Sequence, residues 1–155
     1  MEIDTIIGKN HKGAILTMND RVSSMVWMSK LESKEADALA EIAIQELTPL
    51  KQIIKTITAD NGKEFASHKK ISKKLGVDIF FARPYHSWER GANENTNGLI
   101  RQYFTKGSSF ENISNQDIKW VQDTLNNRPR KKLGFLSPNE FFYLNLANQK
   151  VAFVT

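Results

Sequence analysis

The sequence contains no cysteine, and its four prolines and eight glycines are scattered along 155 residues. Without cysteine there is no disulfide framework and no thiolate metal site, which agrees with a reducing, intracellular setting. No apolar stretch approaches the roughly 18 residues of a transmembrane helix, and the N-terminus lacks the basic-then-apolar order of a signal peptide. We therefore expect one globular domain over residues 1–155 and no membrane partner.

Positive charge exceeds negative charge only mildly, with 22 Lys and Arg against 17 Asp and Glu. A net charge of +5 is by itself a weak indication of a polyanion partner. The distribution is more informative, because the basic residues form two clusters that are either solvated helix surfaces or contacts with a polyanion. The clusters are Lys69, Lys70, Lys73 and Lys74, and Arg128, Arg130, Lys131 and Lys132.

Apolar periodicity predicts strands first and then alternating strands and helices. We expect Ser33 to cap the first helix and Ser137-Pro138-Asn139-Glu140 to open the last one as a capping box. This order is typical of an α/β fold with a mixed sheet flanked by helices. The predicted strands are 1–7, 14–18, 22–31, 53–59 and 78–82, and the other helices cover about 63–75, 90–104 and 115–127.

Three carboxylates occupy positions suited to metal ligands. Asp4 lies in the first strand, Asp60 follows the fourth, and Glu94 enters a helix after an interval of 33 residues (61–93). Two-metal phosphoryl transfer needs carboxylates gathered from separate elements around two cations. Each acid also has an ordinary explanation, such as an Asx turn at Asp60-Asn61-Gly62 or an outward-facing Asp4.

The helix that carries Glu94 has a polar face and an apolar face. At about 100° per residue, the apolar side chains project opposite to the polar ones, as in any amphipathic helix. The polar face, however, has no lysine and includes Gly98, which would allow another backbone to approach closely. The polar face consists of Glu94, Asn97, Gly98 and Arg101, and the apolar face of Leu99, Ile100, Tyr103 and Phe104.

Five segments together resemble the insertion-sequence-thirty family of bacterial transposases, which are DDE-type enzymes. The resemblance implies a ribonuclease H-like fold with a five-stranded mixed sheet, shared with retroviral integrases. It covers essentially the whole chain. The segments are Glu2-Ile3-Asp4, Ala59 to Phe65, Pro84 to Gly91, Asn93 to Phe104 and Leu125 to Gly134.

The same resemblance implies that Asp4, Asp60 and Glu94 are the catalytic acids and metal ligands, binding two Mg²⁺ ions for which Mn²⁺ can substitute. The implied reaction is DNA strand cleavage and strand transfer, with transposon ends and target DNA as partners. A homodimer is the expected assembly and the bacterial cytoplasm, beside the nucleoid, the expected location. Family members carry helix-turn-helix segments before the catalytic domain, and we expect residues 1–155 to be the catalytic core without them.

Several polar, basic and aromatic residues are candidates for DNA contacts because of their positions. Asn61 and Lys63 follow a predicted catalytic acid, and Arg101 is suited to bidentate phosphate binding. Trp88 would either stack on a base or anchor its loop. The full set is Asn61, Lys63, Trp88, Arg90, Asn97, Arg101, Arg128 and Arg130.

Three other functions remain open at this stage. A nuclease of the same fold would cut DNA or RNA without joining it, and a non-catalytic remnant would only bind nucleic acid or another protein. A glycoside hydrolase would use Asp60 and Glu94 as a carboxylate pair, but it has no role for Asp4.

Overall fold

The computed structural model of the protein describes residues 1–33, 35–83 and 91–152. Its centre is one five-stranded sheet with the order β3-β2-β1-β4-β5. Strands β1 to β3 are antiparallel neighbours, whereas β4 and β5 run parallel to β1. The strands are β1 (Glu2–Ile7), β2 (Ala14–Asn19), β3 (Val26–Leu31), β4 (Thr56–Ala59) and β5 (Asp78–Phe81).

Helices cover both faces of the sheet, as the α/β prediction requires. The described helices are α1 (Ala36–Leu47), α2 (His68–Leu75), α3 (Gly91–Ile100), α4 (Asn115–Asn127) and α5 (Pro138–Ala152). Short 3-10 turns lie at Lys9–His11, Thr48–Leu50, Lys63–Phe65 and Lys131–Leu133. No described helix is both long and apolar enough to span a bilayer.

The two faces of β1 enter different cores because successive side chains alternate. Ile3 packs with the buried residues of α1 and α2, including Leu39 and Ile71. On the opposite face, Ile6 packs with Ile100 and other residues near α3 and α4. Glu2 and Asp4 share that second face, so β1 presents two carboxylates toward α3.

Several predicted boundaries are wrong, and local hydrogen bonds explain the differences. Helix α1 begins at Ala36 with Glu35 in the N-cap position, while the Ser33 hydroxyl accepts a bond from the Glu35 N–H. The third strand starts only at Val26, because the Asp20 carboxylate accepts bonds from Ser23 and closes a turn.

Two predicted helices are shorter than expected. The segment 63–75 divides into a 3-10 turn and α2, which ends at Gly76 in the left-handed conformation. Helix α3 ends at Ile100, and the next residues form turns. By contrast, α4 has its predicted limits, and the Ser137–Glu140 capping box is confirmed by reciprocal hydrogen bonds.

Candidate active site

Asp4 is a nearly buried carboxylate in the central strand of the sheet, with 7% of its surface exposed. Its Oδ1 accepts the Thr5 N–H at 2.8 Å, and its Oδ2 accepts the Asn97 Nδ2 at 3.0 Å. The strand therefore holds a carboxylate in a fixed orientation beneath α3.

Asp60 directly follows β4, the strand next to β1 in the sheet. Strands β1 and β4 are parallel, and Glu2 is paired with Thr58. Continuing this register by two residues brings Asp4 level with Asp60, on the same face, on strands that are about 4.8 Å apart. The sheet thus brings together two of the three predicted acids.

The turn after β4 fixes the Asp60 carboxylate. Its Oδ1 accepts the Gly62 N–H at 3.0 Å, which is the Asx hydrogen bond expected from Asp-Asn-Gly. A Cβ at Gly62 would lie 2.8 Å from this same oxygen and closer still to Glu64 Oε2. Residue 62 must therefore lack a side chain if both carboxylates are to keep their positions.

Glu94 lies in the first turn of α3 with its side chain exposed. Two hydrogen bonds secure its helix to β1: the Asn93 N–H donates to Glu2 Oε2 at 2.8 Å, and Asn97 donates to Asp4. Residues before and after Glu94 therefore both attach α3 to β1.

The three acids do not form a closed metal site as their side chains stand. Within residues 1–33, 35–83 and 91–152, no three acidic or histidine side chains are close enough together to hold one ion. The chemistry of the donors nevertheless fits a hard divalent cation, because carboxylate oxygens are the ligands that Mg²⁺ prefers. Asp4 and Asp60 are neighbours by register, whereas the Glu94 side chain is exposed.

Four polar side chains near the acids were not predicted from the sequence, and they are Thr17, Thr5, Glu64 and Glu2. The Thr17 hydroxyl lies 3.2 Å from the Asp4 carbonyl oxygen and 3.3 Å from the Asn97 Oδ1. Thr5 donates to Glu64 Oε1 at 3.1 Å, which joins the Asp60 loop to β1. Glu2 is completely buried. For Glu2, its position two residues before Asp4 on the same strand face was the available signal.

Two of the predicted DNA contacts have partners within the protein. Asn97 contacts Asp4 and Thr17 through the two ends of its amide. Arg101 donates to the Ile7 carbonyl at 2.9 Å and lies over the Phe110 ring, 5.4 Å from its centroid. Burial lowers the pKa of its guanidinium. The contacts of Asn97 and Arg101 with DNA remain predictions.

The other predicted DNA contacts differ in exposure. Asn61, Lys63 and Arg128 are exposed, whereas Arg130 is half-buried and donates to the Leu125 carbonyl at 3.2 Å. Burial first, and then repulsion from Arg128, lower the pKa of Arg130. The predicted contacts Trp88 and Arg90 lie outside the described residues.

The two basic clusters are in different environments. Lys69, Lys73 and Lys74 are exposed on α2, and Lys70 forms an ion pair with Glu41 at 3.0 Å, so the first cluster is largely a solvated helix surface. The second cluster borders a cavity of about 230 Å³ beside α3. Its lining includes Arg130, Lys131, Lys132 and Asn95.

Among the described residues, none packs closely enough against Gly98 to require a glycine there. A Cβ built there would have no neighbour within 4 Å. The predicted close approach of another backbone therefore does not occur among residues 1–33, 35–83 and 91–152, and Gly98 faces open space.

Comparison of the sequence identifies bacterial transposases as relatives. The chain is 60% identical over 155 residues, 100% of its length, to the transposase for insertion sequence element IS4351 of Bacteroides fragilis. It is 36% identical over 134 residues, 86% of its length, to the transposase InsI for insertion sequence element IS30A of Escherichia coli K12. The predicted resemblance to insertion-sequence-thirty transposases is thus confirmed. These matches cover 48% and 35% of the relatives, so the chain spans about half of their length or less.

Comparison of the structure identifies retroviral integrase cores as neighbours. The catalytic core domain of BIV integrase superposes with a TM-score of 0.69, covering 97% of this chain and 96% of that one, at 18% identity. A chain of the simian T-cell lymphotropic virus intasome, in complex with PP2A regulatory subunit B56 gamma, superposes with a TM-score of 0.65. The superposition covers 81% of this chain and 47% of that one, at 16% identity. At these identities the likeness concerns the fold, and the predicted ribonuclease H-like fold is confirmed.

The family assignment agrees with both comparisons. The model of the integrase core domain matches residues 1–87, which is more than half of the chain. The matched region contains β1 to β5, with Asp4 and Asp60. The protein therefore belongs to the integrase core domain family.

Proposed function

We propose that this protein is the catalytic core of a DDE transposase, a polynucleotidyl transferase that cleaves and joins DNA strands in a metal-dependent reaction. One observation supports the proposal: the pairing of Glu2 with Thr58, continued by two residues, brings Asp4 level with Asp60, and the helix that bears Glu94 is hydrogen-bonded to Asp4.

Asp4, Asp60 and Glu94 would together hold two Mg²⁺ ions, with Mn²⁺ as a substitute. The ions, when bound, supply activation of the attacking hydroxyl and stabilisation of the leaving 3′-oxygen. Asn97 and Thr5 would keep the Asp4 oxygens oriented, since both already donate to them. Glu94 would turn inward from its exposed position to join them.

Exposed residues around the acids would form the surface for DNA. Asn61 and Lys63 follow Asp60 and are exposed, so they would reach a phosphate near the scissile bond. Arg128 and the pocket beside Arg130 would follow the backbone farther along the duplex. Trp88, Arg90, Asn97 and Arg101 complete the proposed DNA-binding set.

The biological setting is also part of the proposal. The DNA partners would be transposon ends and target DNA, bound by a homodimer beside the bacterial nucleoid in the cytoplasm. The names of the sequence relatives support the transposase assignment. One structural relative is a chain of a viral intasome.

Plasmid nicking followed by strand transfer tests the proposal. We expect the protein to nick supercoiled plasmid in Mg²⁺ or Mn²⁺ and to join a duplex oligonucleotide with a pre-cut 3′-hydroxyl end to the plasmid. Asp60→Asn should abolish both reactions while DNA affinity is largely retained. Asp78→Asn is the matched control, because Asp78 is an exposed acid at the start of β5 in the same sheet.

Each result decides between the functions. Nicking without joining would support a nuclease of the same fold in place of a transposase. DNA binding without either reaction would support a non-catalytic remnant. Unchanged activity in Asp60→Asn would contradict the assignment of the acids.

A further inference from the structure

Glu2 is a second carboxylate on the same face of β1 as Asp4, and it is completely buried, with 0% of its surface exposed. Its Oε2 accepts the Asn93 N–H at 2.8 Å. Its Oε1 lies 2.9 Å from the Arg21 Nε as an ion pair, without the alignment of a hydrogen bond. A buried charge is tolerated when it is paired and hydrogen-bonded, so Arg21 and α3 together hold this carboxylate in place.

The position of Glu2 connects the two elements that carry Asp4 and Glu94. Along β1 it precedes Asp4 by two residues, which places both side chains on one face. Across the site it binds the backbone of Asn93, which immediately precedes Glu94. The first N–H groups of a helix have no acceptor within the helix, and a negative charge there is favoured by the helix dipole. Glu2 thus caps α3 from the neighbouring strand.

The surroundings of Glu2 are polar at a place where a fold needs only apolar packing. Asn19 is the strand partner of Glu2, and Asn19 and Asn93 are both almost fully buried. Among the described residues, the Asn19 Oδ1 and both polar atoms of the Asn93 amide have no hydrogen-bond partner. The end of β1 that faces α3 therefore holds a cluster of buried polar side chains around Glu2.

We propose that Glu2 is a positioning residue that fixes the first turn of α3 against β1, so that Glu94 can reach the metal site of Asp4 and Asp60. This inference rests on the proposed function, because it takes Asp4 and Glu94 as metal ligands. Arg21 neutralises the buried carboxylate from the surface, where its own side chain is 53% exposed. Glu2 itself touches neither metal nor DNA.

Binding of Mn²⁺ to the DNA-free protein, measured by isothermal titration calorimetry, tests this role without relying on activity. Loss of residues that orient metal ligands typically weakens metal affinity by about 10–100-fold. We expect Glu2→Ala to weaken Mn²⁺ binding by about tenfold or more. Glu2→Gln should restore most of the affinity, because its amide oxygen can still accept the Asn93 N–H.

Asn126→Ala is the matched structural control. Asn126 is also buried, and its amide joins α4 to the backbone of Val26 in β3 by two hydrogen bonds, at 2.8 and 2.9 Å. Helix α4 carries none of the three acids. We expect Asn126→Ala to lower the melting temperature without changing Mn²⁺ affinity. Equal affinity losses in Glu2→Ala and Asn126→Ala would overturn the positioning role, as would wild-type affinity in Glu2→Ala.

Arg21→Ala keeps the test decisive if Glu2→Ala does not fold. It removes the charge partner of the buried Glu2 carboxylate and should also weaken Mn²⁺ binding, but less than Glu2→Ala because the bond to the Asn93 N–H remains. Unchanged affinity would overturn the positioning role. Asp60→Asn separates the two proposals. If Asp60→Asn loses Mn²⁺ binding while Glu2→Ala retains it, only the positioning role fails. If Asp60→Asn binds Mn²⁺ and nicks DNA like the wild type, both proposals fail.

Discussion

The Asn97 amide donates a hydrogen bond of 3.0 Å to the Asp4 carboxylate across 93 residues of sequence. This bond joins the central strand to α3, and the Thr17 hydroxyl lies within hydrogen-bond distance of the other end of the same amide. Asn97 was predicted as a DNA contact from its place on the polar face of the helix. Its observed partners make it a residue that orients an acid.

Asn97→Ala should therefore reduce strand cleavage more than DNA binding. Partners that orient metal-binding carboxylates typically contribute about 10–100-fold to activity or metal affinity, and we expect a loss in this range. Gly98→Ala is the control at the next position. A Cβ there meets nothing within 4 Å, so this change should stabilise the helix by about 0.5–1 kcal/mol and leave cleavage intact. Nicking rates and thermal melts of both variants check the prediction, and equal nicking by Asn97→Ala and the wild type would contradict it.

Gly62→Ala should disrupt the Asp60 turn. The added methyl group would overlap the Asp60 and Glu64 carboxylates, so at least one must shift. Gly76→Ala serves as a contrast, because a Cβ at Gly76 meets nothing within 4 Å, although its φ of +70° makes the substitution strained. We expect Gly62→Ala to lose most nicking activity and Gly76→Ala mainly to lower the melting temperature. Full activity in Gly62→Ala would show that the position of Asp60 does not depend on this turn.

Arg128 and Arg101 should behave differently although both are predicted to contact DNA. Arg128 is exposed, so Arg128→Ala should weaken DNA binding across sequences and reduce the salt slope by about one. Arg101 donates to the Ile7 carbonyl, so Arg101→Ala should also lower the free energy of unfolding by about 1 kcal/mol. Binding isotherms at several salt concentrations and denaturant titrations separate the two effects. An unchanged salt slope in Arg128→Ala would show that this side chain faces away from DNA.

The capping box of α5 should make stability depend on acid pH. Hydrogen bonds from the backbone and then the hydroxyl of Ser137 lower the pKa of Glu140 below its ordinary 4.5. A carboxyl group with a lowered folded-state pKa stabilises the protein above its ordinary pKa, and this contribution disappears as the pH falls through the lowered value. Glu140→Gln should therefore melt at a lower temperature than the wild type near neutral pH, with the difference vanishing in strong acid. A constant difference at all pH values would contradict this explanation.

Elements with strong local signals were predictable from the sequence. Helix α4 has its predicted limits because Ser114 and Asp117 form a capping box around an apolar repeat. The prediction that Ser33 is the N-cap of α1 was wrong. Its hydroxyl accepts a bond from the Glu35 N–H, and Glu35 precedes the first residue of the helix. The third strand is shorter than predicted because the Asp20 carboxylate accepts a hydrogen bond from the Ser23 N–H and forms a turn. Apolar periodicity does not indicate such a turn.

The sequence singled out the three acids as candidates, but it did not indicate the residues that hold them in place. Asp4 stood out as a carboxylate within an apolar strand pattern, and Asp60 as one that directly follows another strand. The partners Glu2 with Asn93, and Asp4 with Asn97, are separated by more than 90 residues. Such contacts depend on the sheet register and on the placement of α3, neither of which local sequence specifies.

A crystal soaked in Mn²⁺ tests the central claim most directly, because anomalous scattering locates the ions independently of the protein atoms. Our account predicts Mn²⁺ between the Asp4 and Asp60 carboxylates, with the Glu94 side chain turned inward to complete the coordination. Mn²⁺ bound elsewhere, or bound to Asp4 and Asp60 while Glu94 stays in solvent at saturating metal, would contradict it.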